Sequence, residues 1–86
     1  MEMKTPTLPC RNLHGTKAEA LQNDYIRAME LLREATEKFN RIEFNPRDYL
    51  SWQEFSKAAD ERNQCRNYLL HVHDYLEAVA ISLNDL

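Results

Sequence analysis

From Ser51 to Leu83 the chain runs without a single Gly or Pro, and this stretch limits what the rest can fold into. Its apolar residues include Phe55, Ala58, Cys65, Leu69, Val72, Leu76, Val79 and Leu83. With Arg62 filling one gap, they recur at alternating intervals of three and four, the heptad seam of a helix packed lengthwise against other helices. At a rise of ~1.5 Å per residue such a helix is about 50 Å long. In a chain of 86 residues only a second long helix can accompany it.

That second helix is legible upstream. Ala18, Leu21, Tyr25, Ala28, Leu32, Ala35, Phe39 and Ile42 repeat at the same intervals. One half of the seam is Ala18, Tyr25, Leu32 and Phe39; the other is Leu21, Ala28, Ala35 and Ile42, where alanines allow a neighbouring helix to come close. Thr16 and Glu19 have capping-box spacing at its start. The connection offers two starts for the long helix. Asn45, Pro46 and Asp48 form an N-cap, a proline at the first helical position and an acid in the first turn. Ser51 and Glu54 form a second capping box. The expected fold is all-α: an antiparallel hairpin with helices near 16–43 and near 47 or 51 to 84, assembling into a dimeric four-helix bundle. Residues 1–15, with Pro6 and Pro9, form an extended leader ahead of a hairpin domain at 16–86. The leader either frays or folds Leu8 and Leu13 back onto a helix end.

Composition removes most chemistries. A single Gly excludes Gly-rich phosphate loops. His71 and His73 are two positions apart and point to different sides of a helix, so they do not chelate as an i, i+4 pair would; a local hydrogen bond from His71 to Asp74 or Tyr75 is the structural alternative. Cys10 and Cys65 sit in unlike settings and have no metal-ligand spacing. No catalytic residues, cofactor or metal are expected, and the chain reads as a non-enzyme. A net charge of −3 disfavours nucleic acid as partner, although Arg33, Lys38, Arg41 and Arg47 gather near the turn. No apolar run reaches the ~18 residues of a membrane span, and residues 1–15 lack the apolar core of a secretory signal. The expected compartment is the cytoplasm.

Two features of the long helix bear on function. The stretch Ala59 to Asn67 is strongly polar and puts Arg62 on the seam. There it either lays its stem on the partner helix and lifts its head to water, or pairs with an acid such as Glu30 or Glu34. From Asn67 onward no Lys or Arg occurs, and apolar residues occupy nearly every side. Such a helix is buried on more sides than one neighbour can cover. Counting from the link, the first helix ends level with Val79, so the last turns of the second are expected to lack a hairpin partner. Ile26, Met29 and Leu31 on the first helix, and Tyr68, Leu70, Tyr75, Ala78 and Ile81 on the second, lie off the seams and form the expected protein interface.

The plan of two helices joined through Asn45-Pro46 is similar to that of needle subunits and small helical chaperones of type III secretion systems. Cys65 and the charged middle of the second helix depart from a needle subunit. The functional expectation is a small interaction module (an adaptor, inhibitor or chaperone) acting through an apolar helical face. Its alternative is a self-assembling structural or regulatory homodimer, secretion-system-like or associated with nucleic acid.

Overall fold

The computed structural model describes residues 5–9 and 17–84. Helix α1 spans Ala18–Asn40, a 3-10 turn follows at Pro46–Asp48, and helix α2 spans Trp52–Asn84. The two helices pack against each other in an elongated molecule of 59 × 23 × 17 Å. Among the described residues there is no strand. The fold is an all-α hairpin.

Local chemistry sets the helix ends. Helix α1 closes at Asn40, earlier than the seam suggests. The Arg41 N–H is shared between the Glu37 and Lys38 carbonyls, and Ile42 N–H turns back to the Phe39 carbonyl, a tightening from α to 3-10 pairing typical of a last turn. At the other end Lys17 precedes the first helical residue without a side-chain cap; Thr16 lies outside the described residues. Of the two possible starts for α2, the structure takes the second. Asn45 and Pro46 make one 3-10 turn, closed by Asp48 N–H to Asn45 and Tyr49 N–H to Pro46 at 3.1 Å each. The backbone is extended at Tyr49, and Ser51 Oγ then accepts the Glu54 N–H at 3.1 Å, the N-cap bond that begins α2.

The hairpin register reverses the expected overhang. Gln22 Nε2 donates to the Ala80 carbonyl at 2.9 Å, the Tyr25 and Tyr75 rings lie 6.5 Å apart, and Arg66 Nε donates to Asn40 Oδ1 at 3.0 Å. The start of α1 is thus level with the last turn of α2, and the end of α1 is level with Arg62 to Arg66. Val79, Ala80 and Leu83, expected to project unpaired, are instead the buried residues among those described. The unpaired turns are at the opposite end. Residues 41–51 do not reverse tightly; they climb back along α2 until Phe44 stacks on Phe55 at 4.6 Å. The turns of α2 from Trp52 to Arg62, about 15 Å of rise, are accompanied by this segment rather than by α1.

The contact line between the helices is also rotated from the one the apolar pattern suggests. Along α1, Ala18, Gln22, Tyr25, Met29, Leu32, Thr36 and Phe39 are all half-buried, whereas Ala35 and Ile42 are exposed. Along α2, Arg66 and His73 are half-buried and Cys65 and Val72 exposed. Helix α1 is turned by roughly 50°, half the ~100° step per residue, relative to the expected seam. On α2 the shift is local to Cys65 and Val72, and the seam residues Val79 and Leu83 stay buried. The rotation is tolerated because inward polar groups are satisfied. Gln22 and Arg66 bond across the hairpin, and the Thr36 hydroxyl donates to the Leu32 carbonyl at 2.8 Å. Leu32, Phe39, Phe55 and Leu69, large residues of the two seams, are half-buried rather than buried.

Candidate interaction surface

The turn end is built from aromatic rings. Phe55 meets Phe44 at 4.6 Å, Tyr49 at 5.7 Å and Trp52 at 5.3 Å, and Phe44 meets Tyr49 edge-on at 5.6 Å. Such pairs contribute about 0.5–1.5 kcal/mol each beyond their burial. The Arg62 guanidinium carbon lies 5.2 Å from the Phe39 ring centre and 5.0 Å from that of Phe44, and its Nη2 donates to the Ile42 carbonyl at 3.2 Å. Neither expected role of Arg62 holds. Its head is spent on two rings and a carbonyl at the exit of α1, while Glu30 pairs with Arg27 on its own helix at 3.4 Å. Leu50 and Trp52 remain exposed beside this cluster.

Along the body of the hairpin, the rotated contact line divides the expected interface residues between two flanks. On one flank Phe39, Cys65, Tyr68, Leu69 and Val72 line a shallow cleft whose surface is almost wholly apolar. Leu31, Ala28 and Ala35 continue this flank on α1 by helical position. Leu31 is 49% exposed, Tyr68 51% and Val72 37%. Tyr75 belongs to the same side and is half-buried against Tyr25. On the opposite flank Arg33, Thr36, Glu37, Leu69, Leu70 and His73 line a second cleft, with Ile26 and Ile81 exposed beyond it. Met29 lies on the line between the helices, one heptad from both Gln22 and Thr36, and Ala78 is half-buried on the outer side of α2.

His73, not His71, approaches Asp74, at 3.6 Å. His71 Nε2 is buried with no hydrogen-bond partner among the described residues. A hydrogen bond with Tyr75, reinforced by burial, raises the Tyr25 pKa above its ordinary value. Cys65 is a free, exposed thiol. Among the described residues no group of His, Cys, Asp and Glu could hold a metal ion, and no helix is long and apolar enough to cross a membrane.

The Leu31–Tyr68–Val72 flank was only half legible. Leu31, Tyr68 and Tyr75 stood out as off-seam residues, whereas Cys65 and Val72 read as hairpin core. The signal that could have separated them is the pair of polar residues, Gln22 and Thr36, each one position beyond the alanine-bearing half of the α1 seam. No protein-family model, curated protein or solved structure matches the chain.

Proposed function

We propose that the protein is a non-enzymatic interaction module that works by docking its Leu31–Tyr68–Val72 flank against another helical surface. One observation carries this reading: large apolar side chains stay exposed along one flank of the hairpin. Leu31 is 49% exposed, Tyr68 51% and Val72 37%. Only Val79, Ala80 and Leu83 are buried among the described residues. A continuous apolar flank is where such surface is ordinarily removed from water.

The test is a double charge insertion, Leu31→Glu with Tyr68→Glu. Wild type and variant are compared by light scattering at tens of micromolar and by capture of partners from the native host. The reading expects the variant to lose either self-association or a stoichiometric partner while keeping its helical circular dichroism. Identical mass and identical captured proteins in both would overturn it.

A further inference from the structure

We infer that the occupant of this flank is a second copy of the chain, paired about a two-fold axis that crosses α1 at Leu31 and sets the two α1 helices antiparallel. This rests on the reading above and goes further by naming the partner and its register.

The outward stripe of α1 is self-complementary. Leu31 is at its centre, Ala28 and Ala35 flank it, Asp24 and Lys38 stand outside them, and Leu21 closes the N-terminal end. The intervals are three and four throughout, a second heptad line beside the one facing α2. Reversed about Leu31, the stripe matches itself to within one residue, about 1.5 Å of rise. Asp24 falls on Lys38 of the second copy and Leu31 on its Leu31, while Ala28 falls one residue short of its Ala35. In a two-fold interface every such contact is made twice.

The structure leaves these residues available. Asp24, Leu31, Ala35 and Lys38 are exposed, and Leu21 and Ala28 half-buried. Asp24 and Lys38 cannot meet within one helix, being about 21 Å apart along it. Among the described residues neither has an ion-pair partner. The alanines beside Leu31 permit helix axes to approach to about 8 Å. Helix α2 agrees with the same axis. The hairpin register places Leu31 between the Tyr25–Tyr75 contact and the cleft shared by Arg33 and Leu70, level with residues 70–72. The axis therefore also brings Val72 onto Val72 of the second copy.

A two-fold parallel to the helices would set α1 on α2 of the second copy. Asp24 would then face the part of α2 beyond Asn67, which contains no Lys or Arg. Only the perpendicular axis gives each of the two charges an opposite partner.

Light scattering at tens of micromolar should give a dimer mass for wild type. Asp24→Lys should weaken the dimer about tenfold or more, since each substitution acts twice by symmetry. Adding Lys38→Asp to it should restore the dimer. With Cys10 and Cys65 both replaced by Ala, Leu31→Cys should form a disulfide-linked dimer on mild oxidation and Glu30→Cys should not, because a disulfide requires Cα atoms within about 7 Å. The cross-link keeps the test decisive if Asp24→Lys alone fails to fold. A monomeric wild type overturns the proposal, and the host capture with Leu31→Glu and Tyr68→Glu then decides the broader reading separately. A dimer with neither charge rescue nor a Leu31→Cys cross-link overturns it as well, leaving self-association by another register.

Discussion

The guanidinium of Arg62 lies between the rings of Phe39 and Phe44, 5.2 and 5.0 Å from their centres. One of these rings ends α1 and the other belongs to the returning segment, so a single cation ties the exit of α1 to the flank of α2. Its bond to the Ile42 carbonyl, just past the C-cap Arg41, also pairs an acceptor in the segment that leaves α1. Partial burial raises the value of such a contact from about 0.5 toward about 2 kcal/mol.

Arg62→Ala should therefore destabilise the hairpin by about 1–3 kcal/mol, the sum of a cation–π contact and one charge-assisted bond. Arg62→Lys should recover less than half of the loss, because an ammonium cannot lie flat between two rings while donating in plane. Urea denaturation followed by circular dichroism measures both. A loss below about 0.5 kcal/mol, the usual range for an exposed site, would show that the rings hold the turn without the cation.

Ser51 and Asn45 are separated by the same measurement. Ser51 Oγ caps α2, whereas Asn45 makes no side-chain cap bond. Ser51→Ala should cost about 1 kcal/mol, and Asn45→Ala should be close to neutral. The reverse order would mean that α2 begins at Pro46 in solution.

The relocated core makes a third comparison. Leu83 is 4% exposed and Leu50 fully exposed. Leu83→Ala should lower stability by about 2–5 kcal/mol, while Leu50→Ala should stay within about 0.5 kcal/mol. Equal effects would place the packing centre elsewhere.

These comparisons mark where the sequence could be read and where it could not. The two helices and their antiparallel course follow from spacing and the absence of Gly and Pro, whereas the capping residues fit a start of α2 at Pro46 as well as at Ser51. The rotation of the contact line does not. Cys65 and Val72 are more apolar than Arg66 and His73, so burial alone favours the wrong side of α2. The choice turns on whether Gln22 and Arg66 find hydrogen-bond partners, and those partners, Ala80 and Asn40, lie far away in the chain. The path of residues 41–51 was equally hidden. Its length was evident, but its climb along α2 depends on Phe44 finding Phe55 and Arg62. The Leu31 flank was visible as off-seam apolar residues, and its self-matching pattern emerged only once the other half of α1 was known to face α2.

Alkaline pH should loosen the hairpin through Tyr25. Its hydroxyl is held above the ordinary phenol value of 10.0 by the hydrogen bond with Tyr75 and by burial, so folding favours the neutral form. A group whose pKa is raised on folding contributes stability that is complete below the unfolded value and is lost as pH rises through the folded one. The urea midpoint should therefore hold steady up to about pH 9 and fall from about pH 10 upward, in line with the unfolded phenol value. Tyr25→Phe removes both the hydrogen bond and the titration. The variant should be less stable than wild type at pH 8 and should lose less on going to pH 11, so the two midpoints converge. Parallel alkaline losses in wild type and variant would show that Tyr25 titrates no differently folded than unfolded, and that the Tyr25–Tyr75 bond does not persist in solution.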